Sequence, residues 1–361
     1  MTAKPSIGSM RRHDFRSDTV TLPSAEMMAA IACAPLGDAA RGDDPTVNQL
    51  EALARELTGK DDALFLPSGT MANLAALIAH QCRGGEVIVE ASAHIYNSEG
   101  GGLSSVAGAV ARPIAGRDGM LDPFDVAAAI RDDADLALAP TRLVCIENTH
   151  NAAGGTVMPI ERLRALREVA HAAGVPLHMD GARLFNAAAF LGTPIGELCR
   201  HADSVWFALC KGLGAPVGAV LAGERAFMRR ARAASKMLGG AMRQAGVIAA
   251  PAIVALRDPY PTHRRDHALA QALARALAAV DASLIDPQRV QTNITNCFVD
   301  RFTDDAAEVT RRLRERGVLA NAKRHRIRFV THAQVDEASV DAAARAMAAA
   351  LAELPRKETH R

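Results

Sequence analysis

The sequence predicts an α/β fold with a mostly parallel central sheet, followed by a smaller C-terminal α+β domain. Three observations carry this expectation. Short, continuous apolar runs alternate with helix-like segments through the middle of the chain. Runs without polar alternation suit strands covered on both faces. Several runs end in a single polar or charged residue, and ligands of such sheets bind beyond the carboxyl ends of the strands. In order, Ala63–Leu66 reads as a strand and Met71–Ala79 as a helix, and Glu86–Val89 and Leu143–Ile146 read as further strands. A helix from about Ile160 to Ala173 is closed by Gly174 in the manner of a C-cap. Val175–Met179, Ser204–Leu209 and Gly218–Leu221 complete the set of buried runs.

After Gly240 the texture changes. An alanine-rich helical region reaches about Val280, strands at Asn296–Val299 and Arg326–Val330 flank a helix near Asp304–Arg316, and a last helix spans Asp336–Leu354. The expected organisation is a disordered extension over residues 1–13, an arm and helix over 14–50, a large domain over 51–250 and a smaller one over 251–361. At 361 residues and 49% hydrophobic, the chain is long enough to bury two cores. A formal charge of +2 and the lack of a basic tract argue against nucleic-acid binding. Nothing approaches the ~18 consecutive apolar residues of a membrane span, and the first twelve residues lack the apolar stretch of a secretory signal. Six cysteines show no metal-ligand spacing, and four of them lie in apolar or helix-like stretches, as expected of reduced core filler. These readings point to a soluble, cytoplasmic protein without a metal.

The run Asp203–Leu209 leads through Cys210 to Lys211 and the glycine-rich turn Gly212-Leu213-Gly214. Upstream, Pro176-Leu177-His178-Met179 ends in Asp180. An amine and a carboxylate at strand ends are what pyridoxal phosphate chemistry requires. The lysine carries the cofactor through a Schiff base, and the acid keeps the pyridine nitrogen protonated. The plain alternative is that Lys211 caps a strand in solvent. Ser68-Gly69-Thr70, between a strand and a helix, offers hydroxyls and free backbone N–H groups for a phosphate, although an ordinary N-cap looks the same. His94 follows the strand at Val89, where an imidazole can stack on a planar ring or sit in a surface loop. His150 follows Glu147-Asn148-Thr149; with an ordinary pKa of about 6.5 it suits taking a proton from a substrate hydroxyl, and Asn148 suits bonding the cofactor's phenolic oxygen. Arg183, Lys236, Arg243 and Arg328 are candidate cations for anionic groups, though spacing does not set them apart from solvated surface arginines and lysines.

Taken together, the motifs resemble one family. Phe15-Arg16-Ser17-Asp18-Thr19-Val20-Thr21, Gly42-Asp43-Asp44-Pro45-Thr46, Pro67-Ser68-Gly69-Thr70, Glu147-Asn148-Thr149-His150, His178-Met179-Asp180-Gly181-Ala182-Arg183, the Lys211–Gly218 turn and Gly239-Gly240-Ala241-Met242-Arg243-Gln244 occur in the order seen in low-specificity L-threonine aldolases. The resemblance runs from about Asp14 to Leu354. It implies a fold-type I pyridoxal phosphate enzyme, similar to aspartate aminotransferase, assembled as a homotetramer (a dimer of dimers) with sites at the dimer interface. It further implies Lys211 as the cofactor-binding lysine, Asp180 as the pyridine-nitrogen partner, His94 as the ring-stacking histidine, and Gly69 and Thr70 as the phosphate cup. Arg183 and Arg328 would contact cofactor and substrate carboxylate, His150 the substrate hydroxyl and Ser17 the substrate. Lys236 and Arg243 would approach the cofactor phosphate from the neighbouring subunit.

The implied reaction is retro-aldol cleavage of L-threonine or L-allo-threonine to glycine and acetaldehyde. A related β-eliminating lyase, or an aldolase for 3-hydroxyaspartate or phenylserine, is the nearest alternative. A non-catalytic nucleotide-binding α/β protein is the rival from another class, but it would lack both a P-loop and a GxGxxG fingerprint. The sequence departs from the family pattern in one place: Arg41 stands before Gly42, where members often carry tyrosine.

Overall fold

The computed structural model describes residues 12–354 and divides into two compact units, Thr21–Arg264 and residues 12–20 together with 265–354. This differs from the expected split at 250. Helix Tyr260–Val280 runs across that region without a break, so no linker marks a boundary. Residues 1–11 of the expected disordered extension lie outside the described residues, whereas His13 belongs to a strand.

In chain order the strands are β1 (His13–Asp14), β2 (Asp62–Leu66), β3 (Glu86–Glu90), β4 (Val110–Ile114), β5 (Thr141–Glu147), β6 (Leu177–Gly181), β7 (Ser204–Ala208), β8 (Ala219–Gly223), β9 (Ile294–Phe298), β10 (Val318–Leu319), β11 (Asn321–Lys323) and β12 (Arg326–Val330). In the larger unit, seven of them form one sheet in the order β2-β8-β7-β6-β5-β3-β4. The pairs from β7 through β4 are parallel, and β8 runs antiparallel to both β7 and β2. Two antiparallel pairings restore the direction of β2, so β2, β3, β5, β6 and β7 all end at the same edge.

The apolar runs are buried on both faces, as their lack of alternation implies. Along β7, Val205 and Phe207 join one core with Phe65, Val144 and Val220. Trp206 and Ala208 join another, beneath helices Gly69–Ala79 and Arg225–Met237. Strand β4 escaped the sequence reading because it is an edge strand, half-exposed and carrying Pro113, so it has no apolar run to read. The alanine-rich stretch is two helices, Gly246–Leu256 and Tyr260–Val280, separated near Asp258-Pro259.

Asp44, in the Gly-Asp-Asp-Pro-Thr motif, explains its own position. Its fully buried carboxylate caps helix Pro45–Thr58 by accepting from the N–H groups of Thr46 and Val47 at 3.1 and 3.0 Å. Its second oxygen accepts from Gly37 at 3.2 Å and Gly246 at 2.9 Å. A Cβ on Gly246 would stand 2.8 Å from Asp44 Oδ1, so glycine is needed for this approach.

The smaller unit has a three-stranded antiparallel sheet in the order β11-β12-β9 and a parallel pair, β1 with β10. Its core centres on Phe15 and Phe329, whose rings meet edge to face at 5.8 Å. Among the described residues, no helix is long and apolar enough to cross a membrane.

Candidate active site

Five sheet strands of the larger unit deliver polar residues to one edge. Ser68 follows β2, His94 follows β3, His150 follows β5, Asp180 lies within β6, and Lys211 follows β7. Asp180 has 1% of its surface exposed. Its oxygens accept from Asn73 Nδ2 at 2.9 Å and from the Ala182 N–H at 3.1 Å, with no basic side chain at ion-pair distance among the described residues. A buried carboxylate bonded only to neutral donors is costly unless a cation joins it. A protonated pyridine ring is such a cation, so the donor set fits the cofactor the sequence implied.

Behind Asp180 lies a network that the sequence reading missed. Asn73 Nδ2 also donates to Glu99 Oε1 at 2.7 Å, and Glu99 receives His94 Nδ1–H at 2.9 Å. Asn73 Oδ1 accepts from Trp206 Nε1–H at 2.7 Å and from His178 Nε2–H at 3.2 Å. Since the indole can only donate, the amide orientation is settled. Burial pushes His178 down to about 4 and His80 down to about 3, so both rings are neutral near pH 7. His178 Nδ1 therefore accepts from Ser204 Oγ at 2.7 Å, and Ser204 accepts from His80 Nε2–H at 2.7 Å. Every bond from His80 to Asp180 donates toward the carboxylate, and aligned donors of this kind stabilise its charge. His94, Glu99 and Asp180 present ligand atoms within 4.8 Å of one another, but the Asn73 amide and the His94–Glu99 bond already engage them.

The two candidate histidines differ. Hydrogen bonding to Glu99 raises the pKa of His94 against the opposing effect of burial, with Asp180 adding to the rise. That bond uses Nδ1 and leaves Nε2 as the available nitrogen. His150, expected to take or orient the proton of a substrate hydroxyl, is 1% exposed. Its Nδ1 accepts the Ala153 N–H at 3.2 Å, and its Nε2 lies 3.0 Å from Glu90 and 3.7 Å from Glu147, oblique to a regular hydrogen bond. Burial disfavours its charge, yet these carboxylates outweigh that and raise its pKa. Glu90 is correspondingly held down to about 2, against the effect of burial, by His150 and Ser92.

Asn148 is also placed differently from the expectation. Its fully buried amide accepts from Met158 N at 3.1 Å and donates to Met158 O at 3.5 Å, which fastens a loop instead of presenting a donor to a cofactor oxygen. Arg183 is buried at the start of helix Leu184–Leu191 and donates to Asn151 Oδ1 at 3.1 Å. Lys211 Nζ lies 5.9 Å from the Trp206 ring centroid, and its carbonyl accepts from Thr21 Oγ1 at 3.1 Å.

The Ser68-Gly69-Thr70 segment opens helix Gly69–Ala79, with Ser68 Oγ accepting from Met71 N at 3.2 Å. A Cβ on Gly69 would stand 2.3 Å from Trp206 Cη2. Glycine thus lets the helix start press onto the indole, leaving the first amides for an anion. Lys236 lines a separate cavity of about 340 Å³ with Glu51 and Met242. Arg243 pairs with Asp38 at 3.1 Å, and Arg41 reaches the same carboxylate at 3.4 Å. Ser17 and Arg328 belong to the smaller unit: Thr19 N donates to Ser17 Oγ at 3.2 Å, and Arg328 Nη2 donates to Arg16 O at 3.5 Å.

A lysine and a cation-seeking carboxylate at the carboxyl edge of a parallel sheet fit a pyridoxal phosphate enzyme, and the chain belongs to the β-eliminating lyase family, whose pattern it matches over residues 14–301. Within that class it is similar to low-specificity L-threonine aldolase 1 of Arabidopsis thaliana, 41% identical over 336 residues that cover 92% of this chain and 94% of the relative. The low specificity L-threonine aldolase of Escherichia coli K12 is 43% identical over 323 residues, covering 89% and 94%. The threonine aldolase structure from Leishmania major shares the fold with a TM-score of 0.80 at 20% identity, covering 94% of this chain and 99% of that one.

Proposed function

We propose that this chain is a pyridoxal-phosphate-dependent aldolase that cleaves L-threonine and L-allo-threonine to glycine and acetaldehyde. The observation that carries the reading is Asp180, a buried carboxylate without a cation, on the strand next to the one that leads to Lys211. When bound, the cofactor supplies a ring that accepts the electron pair released as Cα–Cβ breaks. Lys211 anchors it, Asp180 holds the proton on its ring nitrogen, and Ser68, Gly69 and Thr70 bind its phosphate. His94, with Nδ1 committed to Glu99, receives the substrate's hydroxyl proton at Nε2, as an imidazole oriented by a carboxylate is suited to do. His150, whose Nδ1 accepts from Ala153, keeps its Nε2 facing Glu90 and Glu147. Arg183 and Asn151 set the pocket wall, and Arg328 with Ser17 binds the substrate carboxylate. The assembly is a cytoplasmic homotetramer in which Lys236 and Arg243 serve a neighbouring subunit's phosphate.

The deciding experiment measures glycine release from both threonine diastereomers, 3-hydroxyaspartate and phenylserine by the cofactor-loaded protein. Threonine and allo-threonine are expected to turn over, with Lys211→Ala inactive. Preference for another member of the panel moves the substrate assignment, and absence of glycine from all of them overturns the aldolase reading. Light scattering at a dimer or monomer mass would refute the tetramer.

A further inference from the structure

The larger unit holds a cavity of about 640 Å³ at the other edge of its sheet, where β6 and β7 begin. Three cations line it, each bonded to a single backbone carbonyl: Lys60 Nζ to Ala202 O at 2.5 Å, Arg167 Nη1 to Arg200 O at 2.7 Å and Arg230 Nε to Ala79 O at 2.7 Å. None of the three forms an ion pair among the described residues. Arg167 Nε is buried without any hydrogen-bond partner. Several other arginines of this unit find carboxylates: Arg112 and Arg131 on Glu86, Arg162 on Asp122, and Arg232 on Glu51 and Asp62. Three carboxylates, Asp61, Asp203 and Glu224, also line the cavity; Asp203 is taken by His171 at 3.0 Å and by the Leu177 N–H at 2.7 Å, and neither Asp61 nor Glu224 pairs with the three cations among the described residues.

We infer that this cavity is an anion-binding site, separate from the proposed catalytic centre, for a small molecule carrying a phosphoryl group. Two guanidinium forks and an ammonium match a multiply charged oxyanion better than a lone carboxylate. Helix Arg225–Met237 starts in the cavity wall, and its N-cap residue Glu224 makes no side-chain capping bond, so its first amides add further donors. Phe227, Val175 and Pro176 supply an apolar wall for the rest of the ligand, and the volume lies in the range of small-molecule sites. Burial depresses the pKa of Lys60, an energetic cost that a bound anion offsets.

The test is calorimetric titration of the cofactor-loaded protein with inorganic phosphate and with pyrophosphate. It reads binding, not turnover, so it is independent of the aldolase reading. Saturable one-to-one binding is expected, weakened at least about tenfold in Arg167→Gln or in the more exposed Arg230→Gln. Arg257→Gln, which removes an exposed arginine paired with Glu26, serves as the unaffected control. Circular dichroism melts confirm that each variant is folded. Weakening in either folded variant supports the site. Absence of saturable binding of both anions, or binding that both variants leave intact, overturns it.

Discussion

Asp180 draws its properties from residues far away in sequence. Asn73 comes from a helix and Glu99 from a loop, and only the folded sheet makes them neighbours of Asp180; His178, two residues before it on the same strand, joins through Asn73. Asp180 and Lys211 were legible because a charged residue ending an apolar run is a local signal. Asn73, Glu99 and Trp206 were not, since a polar or aromatic residue inside an otherwise apolar segment reads as core until its partner is known. His150 and Asn148 were legible as residues but not as roles, because the loop bonds that engage them are tertiary. Replacing Asp180 by Asn removes the charge that holds a proton on the cofactor nitrogen; kcat is expected to fall by roughly 10² or more, measured as glycine release at saturating threonine. His94→Asn should remove the acidic limb of the kcat–pH profile. Were the limb to move to His150→Asn instead, proton transfer would belong to that residue.

At the scale of elements, the buried strands were readable because strands covered on both faces are continuous in hydrophobicity. The antiparallel sense of β8 was not readable, since direction leaves no mark on such a run. The Gly-Asp-Asp-Pro-Thr motif proves to be architectural in part: Asp44→Ala would leave four backbone N–H groups without their acceptor and should cost about 3–5 kcal/mol in urea unfolding. Helix Tyr260–Val280 carries the opposite kind of carboxylate. Asp266 is 1% exposed, neither oxygen has a hydrogen-bond partner, and Arg265 approaches only to 3.5 Å. Burial raises its pKa to about 7. Between its ordinary 3.8 and 7 the folded chain keeps a proton that the unfolded chain releases, so stability falls as pH rises through that window. Asp266→Asn should therefore stabilise the protein by roughly 2–4 kcal/mol at pH 8 and by little at pH 4, a difference readable from paired denaturation curves.

For the whole molecule, composition and charge placed it among globular proteins and the order of apolar runs placed it among α/β folds, while the division into units was not legible. The smaller unit recruits residues 12–20 from the far end of the chain, a pairing of β1 with β10 that no local pattern announces. The acid stability of the larger unit follows from its two depressed histidines, His80 and His178. Unfolded, they take up protons below about 6.5; folded, His178 resists until about 4 and His80 until about 3, so stability is full above 6.5 and is lost as pH falls through that window. His178 alone should account for roughly 3 kcal/mol across it. Unfolding free energies measured from pH 7 to pH 4 should show the slope, and His178→Gln should flatten it. A variant with an unchanged slope would place the acid sensitivity elsewhere.

The chain of donors from His80 to Asp180 has one more property. A proton hops along hydrogen bonds only if every member can turn round and donate the other way. Ser204 and the two imidazoles can reverse, but Asn73 cannot, because Trp206 Nε1–H occupies its oxygen and an indole has no lone pair to offer in exchange. The tryptophan works as a rectifier: polarisation passes along the line, while protons do not. Proton traffic to Asp180 therefore does not run along this line from His80.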